Sequence, residues 1–543
     1  TAMTEQTRDI LITGASLLGG EPTDIALSGG TIVAIGADAR NSVRDPRVID
    51  AEGLIALPGL VDIHTHLRQP GGEDAETVFT GTRAAAVGGY TAVHAMANTT
   101  PTQDTAAIVD QVLRLGEEAD WVEVRPVGAV TKGLEGKHLA SIGSMARSRS
   151  KVRVFSDDGK CVSDPVLMRR ALEYVKGFGG VIAQHSQDPA LTEGAQMNES
   201  TLSGELGLAG WPAVAEEAII ARDILLAKHV GSRLHVCHLS TAGSVDLVRW
   251  GKAQGVDITA EATPHHLLLT EQLAATYDPL YKVNPPLRRA EDVEAVREGL
   301  ADGTIDCIGT DHAPHPLEMK DCEWQAGAFG MTGLETALPI LIETMVNTGR
   351  MDWTDIARVM STVPARIGRV ESQGQGLVVG GELLNGQDRP EDLLLHECVV
   401  LLEPRDDSGR VVVPALANAV TTGQQVGVCG PLLNDLLHGG EVTGVVQGAV
   451  ERLLLRNRTG PQGLDVTHQR IGELLGHRGL DQHAGGGGAV LPGVERPCGG
   501  DALGSRLDVG IGEDDGGGLA SQLEVNTSHV SGRLFSEIRA GAH

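Results

Sequence analysis

Residues 60–99, LVDIHTHLRQPGGEDAETVFTGTRAAAVGGYTAVHAMANT, contain the repeating unit of the predicted fold. A short β-rich run, LVDIHTH (60–66), is followed by a longer segment of helical character and then by a second β-rich run, TAVHAMANT (91–99). Strand, helix and strand in this order form the unit from which parallel sheets are built. The stretch therefore predicts an α/β fold.

The same alternation continues to about residue 374. Six further β-rich runs follow: VEVRPVGAVT (122–131), VRVFSDDG (152–159), VIAQHS (181–186), LHVCHLS (234–240), DITAEATPHH (257–266) and DCIGTDHAP (306–314). The segments between them, such as DPVLMRRALEYVKGF, carry apolar residues at helical spacing. Eight strands alternating with helices predict a (β/α)8 TIM-like barrel over residues 58–374, with its active site at the carboxyl ends of the strands.

The two flanking segments differ from this pattern. Residues 1–57 alternate short β-like stretches with Gly-containing turns, which predicts hairpins of a small β domain. Residues 375–543 are rich in Gly and lack lysine, and Phe535 is the one aromatic residue after position 353. We therefore expect an irregular tail, and a shifted reading frame, disorder and a genuine extension remain open as its explanation.

Composition narrows the class of function. The net charge of -28 opposes binding to nucleic acid or to anionic membranes, because both need a basic face. The chain has no apolar run of the ~18 residues that span a bilayer and no secretory signal at its start. The seven cysteines form no CxxC pair, so neither a disulfide framework nor a thiolate zinc site is indicated. We expect a soluble, cytoplasmic protein that binds neither nucleic acid nor membranes.

Residues of metal-ligand type follow several predicted strands. His64 and His66 are two positions apart in an extended segment, so both imidazoles point to one side. Later strands end in Asp157-Asp158, His185, His238 and Asp311. A barrel brings these ends to one mouth, where a pair of divalent cations would satisfy the imidazoles and carboxylates together. Such ligands suit zinc, and manganese or cobalt would be tolerated by the same set.

Bound cations of this kind activate water and polarise a carbonyl group, which predicts hydrolysis of an amide-like bond or its reversal. Asp311 is placed to shuttle a proton to the leaving nitrogen, with a helix cap or a structural ion pair as the alternative role. Arg68 is placed to bind a substrate carboxylate through its guanidinium. Asn98, Asn284 and His315 hold comparable positions, although turn or capping roles are the more common use of such residues.

The motifs together resemble a known family. GLVDIHTHLRQPGGEDAETVFTGTRAAAVGGYTAVHAMANTTP, FSDDG, LHVCHLST, TPHHL, VNPPLR and IGTDHAPH are similar to sequences of bacterial single-function dihydroorotases. The similarity runs from about residue 8 to residue 374. The resemblance implies reversible cyclisation of N-carbamoyl-L-aspartate to (S)-dihydroorotate in pyrimidine synthesis.

The resemblance also implies a role for each site residue. His64 and His66 would bind one zinc, His185 and His238 a second, and Asp158 would bridge them, with Asp311 as ligand and proton shuttle. The spacing to His185 favours Asp158 over Asp157. The residues expected to contact the substrate are His66, Arg68, Asn98, Asn284, His315, Phe329 and Gly330, and the loop from His312 to Thr332 is expected to cover the site.

Several alternatives stay open. Relatives such as hydantoinases bridge their metals with a carbamylated lysine where this sequence has an aspartate, which favours dihydroorotase over dihydropyrimidinase or allantoinase. A non-catalytic scaffold homologue would lack ligands, and none is missing here. A homodimer and an association with aspartate carbamoyltransferase are both compatible with the sequence. The β strands and the G-x-P-A-D-L and N-T-P-F stretches that normally complete the small β domain of the family are absent, so we expect its edges to be left unpaired.

Overall fold

A computed structural model describes residues 9–370 and 399–402 of the chain. The first five strands form a small sheet: β1 (Ile10–Leu17), β2 (Pro22–Ser28), β3 (Thr31–Ile35), β4 (Arg47–Asp50) and β5 (Ile55–Pro58). β1, β2 and β3 pair antiparallel, whereas β4 and β5 lie parallel to β1. The prediction of hairpins is therefore confirmed for the first three strands and wrong for β4 and β5.

The turn between β2 and β3 shows why a hairpin forms there. Gly29 and Gly30 take φ values of 60° and 80°, the left-handed conformation that a two-residue hairpin turn requires. Residues of β1, β2 and β5 then bury a separate apolar cluster that includes Ile12, Ile25 and Ala56.

Ten strands follow in the middle of the chain. They are β6 (Leu60–Thr65), β7 (Tyr90–Ala95), β8 (Glu123–Pro126), β9 (Val154–Phe155), β10 (Val181–Gln184), β11 (Met197–Asn198), β12 (Gly210–Trp211), β13 (Arg233–Val236), β14 (Ile258–Ala262) and β15 (Cys307–Ile308). β11 and β12 pair with each other. Six of the other eight lie within predicted β-rich runs, and β7 and β13 begin one residue before theirs, so those eight strands are confirmed.

These eight strands pair in parallel throughout. One sheet has the order β6-β7-β8 and another the order β15-β14-β13-β10-β9. Backbone bridges join the two sheets, between Gly128 and Phe155 on one side and between Thr65 and His312 on the other. All six residues of β6 and all four of β10 are buried, as expected for parallel strands with both faces covered.

Thirteen α-helices are described between and after the strands: α1 (Ala39–Ser42), α2 (Val78–Val87), α3 (Ala106–Ala119), α4 (Ile142–Arg147), α5 (Pro165–Lys176), α6 (Thr201–Leu206), α7 (Val214–Val230), α8 (Ala242–Ala253), α9 (Pro264–Leu268), α10 (Ala290–Ala301), α11 (Ala337–Leu341), α12 (Trp353–Ala357) and α13 (Val363–Gly368). Short 3-10 segments occupy Lys132–Leu134, Glu271–Thr276, Pro279–Tyr281 and Leu317–Met319, and π-helical turns occupy Ile342–Val346 and Arg358–Thr362. None of the helices in this part of the chain has the length and apolar character needed to cross a membrane.

Helix α3 illustrates how a helix covers the strands. Its buried residues Val109, Val112, Gly116 and Ala119 recur every three or four positions, which gives one apolar face. Gly116 lies against Val124 of β8, so the helix packs closely on the strand that follows it.

One strand comes from the C-terminal segment. β16 (Val399–Leu402) pairs antiparallel with β5, giving the order β16-β5-β1-β2-β3 in the small sheet. The prediction of an irregular tail is wrong at these four residues, because they supply β5 with the partner that was expected to be missing. The predictions for residues 375–398 and 403–543 lie outside the described residues.

Candidate metal centre

The six predicted ligands lie at the carboxyl ends of five parallel strands. His64 is in β6 and His66 follows it directly, while the other four come one to three residues after strands β9, β10, β13 and β15: Asp158, His185, His238 and Asp311. His238 and Asp311 take φ values of 30° and 48°, so the backbone turns in the left-handed region where it leaves each strand. Such strained conformations persist where the surrounding structure holds them.

Asp158 lies at the centre of the cluster. Its Oδ1 is 3.3 Å from Nε2 of His64 and 3.2 Å from Nδ1 of His185. The same oxygen is 3.2 Å from Nε2 of His238, and Oδ2 is 3.2 Å from Nε2 of His66. One carboxylate therefore faces all four imidazoles, which is the position a bridging ligand needs.

Asp311 closes the cluster on one side. Its Oδ1 lies 3.0 Å from Nε2 of His66 and 3.5 Å from Nε2 of His64. His64, His66, Asp158 and Asp311 form one group of closely spaced ligand atoms, and Asp158, His185 and His238 form a second. The two groups share Asp158, so the arrangement has room for two neighbouring ions.

The residues fit a divalent cation on three grounds. Ligand atoms about 2.1 Å from a tetrahedral ion lie roughly 3.4 Å from one another, close to the separations seen around Asp158. Nε2 of His64 is buried and has no hydrogen-bond partner within the described residues. Imidazole and carboxylate donors are also the set that zinc binds in hydrolytic sites.

Three of the histidines have their second ring nitrogen held by an acceptor. Nδ1 of His64 lies 2.5 Å from Oε1 of Glu261, and Nδ1 of His66 lies 2.9 Å from Oδ1 of Asn98. Nε2 of His185 lies 2.7 Å from Oε1 of Gln187. Each acceptor favours a ring proton on the outer nitrogen, so the inner nitrogen beside Asp158 would have its lone pair available for a cation.

The charges of the cluster balance one another. Burial alone would lower the pKa of His64, but the carboxylates of Asp158 and Glu261 raise it well above its usual value. Burial alone would raise the pKa of Asp311, but His64 and His66 lower it to about 2. The buried carboxylates thus require positive charge beside them, and a metal cation can supply that charge in place of protons.

Asp157 has a different environment from its neighbour Asp158. Its Oδ1 accepts hydrogen bonds from the backbone N–H groups of Val130 and Thr131 at 2.8 and 2.9 Å, and Oδ2 accepts from the Thr131 hydroxyl. Asp157 therefore holds the segment after β8, and Asp158 faces the histidines.

The predicted substrate-binding residues surround the cluster. Nδ2 of Asn284 donates to Oε1 of Gln187 at 3.2 Å and is thereby connected to His185. Nε of Arg68 donates to the Pro314 carbonyl at 3.0 Å, three residues beyond Asp311. Burial lowers the pKa of Arg68, while the nearby Asp311 opposes this shift.

His315, Phe329 and Gly330 meet on the loop after β15. Nε2 of His315 donates to the Phe329 carbonyl at 2.7 Å, and burial together with Arg68 lowers the pKa of this histidine to about 4. Gly330 has a φ of 139°, and a side chain there would lie 2.9 Å from His315. The structure thus brings together the residues that were predicted to contact the substrate.

Glu261 is a site residue that the sequence reasoning missed. It is buried in β14, where its Oε2 also lies 3.0 Å from Nε2 of His235, whose Nδ1 in turn lies 2.8 Å from the Thr259 hydroxyl. Although burial alone would raise the pKa of Glu261, His64 and His235 lower it. The available signal was a carboxylate inside the predicted β-rich run DITAEATPHH (257–266).

Comparisons with known proteins show which family this chain resembles. Residues 53–244 match the family model described as dihydro-orotase-like. A dihydroorotase of Leifsonia xyli is 61% identical over 431 residues, 79% of this chain and 92% of that protein. Those of Streptomyces coelicolor and Mycobacterium tuberculosis are 62% and 52% identical, each covering 68% of this chain and 86% of its own length. The Leifsonia match is longer than residues 1–374 and therefore continues beyond them.

Similar solved structures are hydantoinases and dihydropyrimidinases. The L-hydantoinase of Arthrobacter aurescens has a TM-score of 0.60 and 26% identity, covering 68% of this chain and 84% of its own. A dihydropyrimidinase of Brevibacillus agri has a TM-score of 0.59 and 21% identity, covering 73% and 87%. At that identity the second likeness concerns the fold alone.

These relatives place the chain in the amidohydrolase class, and its buried cluster of imidazoles and carboxylates could bind metal ions. Within that class, the chain is 52–62% identical to the dihydroorotases and 21–26% identical to the solved hydantoinase and dihydropyrimidinase structures. The higher identity assigns it to the dihydroorotases. The chain belongs to the dihydroorotase family, and it is a hydrolase acting on cyclic amides.

Proposed function

We propose that this chain catalyses the reversible, zinc-dependent closure of N-carbamoyl-L-aspartate to (S)-dihydroorotate and water, a step of pyrimidine synthesis. The observation that carries the proposal is Asp158 facing four histidines in one buried cluster, with Asp311 beside it. The catalytic domain in this proposal spans residues 58–374, and the bridges at Gly128 and at Thr65 support a closed (β/α)8 barrel.

Two zinc ions per chain are the proposed cofactor. His64, His66, Asp158 and Asp311 would hold one ion, and His185, His238 and Asp158 the other. Bound zinc supplies a Lewis acid that polarises a carbonyl group and lowers the pKa of water. The chain's own contribution is to fix the imidazole lone pairs through Glu261, Asn98 and Gln187.

Asp311 is the proposed proton carrier. In ring closure the carbamoyl nitrogen bonds to the side-chain carboxyl carbon, and Asp311 takes the proton that this nitrogen releases and passes it to the departing carboxyl oxygen. That oxygen takes its second proton from solvent and leaves as water. Ring opening reverses these steps, and Asp311 then returns a proton to the nitrogen. His64 and His66 lower the pKa of Asp311, so the group is ionised at neutral pH, which is the form that can accept a proton.

The substrate's free carboxylate is proposed to lie between Arg68, Asn98 and His315. A guanidinium matches a carboxylate through two parallel hydrogen bonds, and burial strengthens such a pair. Asn284 and the backbone of Phe329-Gly330 are proposed to contact the ring. This set favours a carboxylated ring over hydantoin, dihydropyrimidine or allantoin.

Substitution of Asp311 tests the proposal. We expect Asp311→Asn to lower the rate of carbamoyl-aspartate cyclisation by at least ~10²-fold, because the variant cannot accept the proton. Asp306→Asn is the matched control, because Asp306 lies before β15 and Asp311 lies after it. The cyclisation rate of this control variant should stay within about 3-fold of the wild-type rate. Metal content is measured on both variants. Cyclisation at the wild-type rate by Asp311→Asn would remove this residue from the mechanism.

The alternative cyclic amides are tested with the same wild-type protein. Faster turnover of hydantoin, dihydropyrimidine or allantoin than of dihydroorotate would replace the proposed substrate. A protein that binds zinc and hydrolyses none of these rings would favour the scaffold role. A homodimer and a complex with aspartate carbamoyltransferase are further proposals, tested by measuring mass in solution with and without that enzyme.

A further inference from the structure

Two lysines are buried beside the loop that carries the proposed substrate contacts. The exposed fractions of Lys282 and Lys320 are 2% and 9%. Lysine is among the residues least often buried, because removing an ammonium from water is unfavourable unless every proton finds an acceptor.

Each ammonium has three carbonyl acceptors. Nζ of Lys320 donates to the backbone carbonyls of Pro279, Lys282 and Ala328 at 2.9, 3.1 and 2.6 Å. Nζ of Lys282 donates to Oε1 of Gln196 at 2.8 Å and to the carbonyls of Trp324 and Gln325 at 2.8 and 3.2 Å. Three acceptors match the three protons of a charged lysine.

Five of the six acceptors lie in residues 279–282 and 324–328, and the sixth is the side chain of Gln196. The lysine hydrogen bonds hold the first two segments together. Residues 279–282 lead directly to Asn284, and residues 324–328 lead directly to Phe329-Gly330. Lys282 also contacts the loop in two further ways. Its Nζ lies 4.5 Å from the centre of the Phe329 ring, a cation–π contact, and its backbone carbonyl accepts a hydrogen bond from the Gly330 N–H at 2.9 Å.

Stability alone does not account for this arrangement. Burial and the neighbouring charge of Lys282 lower the pKa of Lys320 to about 7, so the position is unfavourable for an ammonium. An apolar side chain of similar length would fill the space without that penalty. Unlike an apolar side chain, the Lys320 ammonium donates directional hydrogen bonds to the loop backbone.

We propose that Lys320 and Lys282 are positioning residues that clamp the Phe329-Gly330 backbone into the place from which it contacts the substrate. This inference rests on the proposed function, because it assigns a role to the same loop. The clamp acts on substrate binding and leaves the metal cluster unchanged.

Lys320→Met tests the clamp by removing the donors while keeping the length of the side chain. We expect KM for carbamoyl-aspartate to rise ~10-fold with kcat within ~3-fold, since ground-state contacts are lost and the reacting groups are not. Hydrogen exchange of residues 317–330 should become faster, and zinc content should not change. Lys252→Met is the matched control, because Lys252 donates to the Gly303 carbonyl and to Asp306 at 3.0 and 2.8 Å, away from the loop.

A second variant keeps the proposal testable should Lys320→Met fail to fold. Phe329→Leu retains both lysines and the backbone carbonyl and removes the ring from Lys282, so KM should rise about 3-fold and loop exchange should quicken. If Lys320→Met folds and its KM is unchanged, the clamp proposal is wrong. If Lys320→Met does not fold, an unchanged KM in Phe329→Leu has the same meaning. Absence of cyclisation by the wild-type protein would instead contradict the proposed function, which separates the two failures.

Discussion

At the scale of single residues, Glu261 is the group whose removal should reveal the metal centre most directly. Glu261→Ala is expected to weaken zinc binding ~10–100-fold, because His64 loses the acceptor that fixes its ring proton and orientation. Competition with a chromophoric chelator measures the affinity without reference to activity.

Glu216→Ala is the control for losing a buried glutamate. Glu216 accepts from the backbone N–H of Ser240 at 2.8 Å and from its hydroxyl at 2.5 Å, and it contacts none of the six proposed ligands through these bonds. The control should lose roughly 2–4 kcal/mol of unfolding free energy and keep its zinc affinity. Equal zinc affinity in Glu261→Ala and wild type would show that Glu261 only stabilises the fold.

Some site residues could be predicted from the sequence, and others became visible only in the structure. His64, His66 and Asp311 could be found because ligand-type residues follow predicted strands, and the fold then brings those ends together. Glu261 could not be found in this way, because its role depends on contact with His64, 197 positions earlier in the chain. Lys282 and Lys320 were missed for a related reason, since five of their six acceptors are backbone carbonyls, which no residue type in the sequence marks.

At the scale of elements, packing of helices on strands can be tested with two glycines. A β-carbon on Gly116 of α3 would lie 2.4 Å from Cβ of Val124, so Gly116→Ala should lower the unfolding free energy by about 1–3 kcal/mol. On α6, a β-carbon on Gly204 would meet nothing within 4 Å, so Gly204→Ala should gain up to about 1 kcal/mol. Urea unfolding of both variants measures the difference, and a stabilising Gly116→Ala would contradict the close packing of α3 on β8.

The strands that could be predicted share one property. Most residues of the eight parallel strands are buried, so these strands appear in the sequence as short runs rich in apolar and β-branched residues. β4 and β5 were read as hairpin strands because short alternating runs do not reveal whether a neighbour is parallel or antiparallel. β16 was missed because its pairing with β5 joins residues more than 340 positions apart, and no local pattern marks such a contact.

At the scale of the whole molecule, the buried cluster links metal binding to stability. Six ionisable groups from five strands meet there, and without cations their balance depends on protonated imidazoles. Ions that bind only the folded state stabilise it in proportion to the logarithm of their concentration. Removal of metal by chelation should therefore lower Tm by roughly 5 °C or more, and added zinc should restore it.

The variant Asp158→Ala separates this linkage from other effects of a chelator. Because Asp158 belongs to both groups of ligand atoms, its loss should weaken both sites, and chelation should then leave Tm of the variant nearly unchanged. The same treatment must lower Tm of the wild-type protein for the linkage to hold. If metal analysis shows complete removal and the wild-type Tm does not move, the strand ends are held together by their own hydrogen bonds, and the cations serve the reaction without supporting the fold.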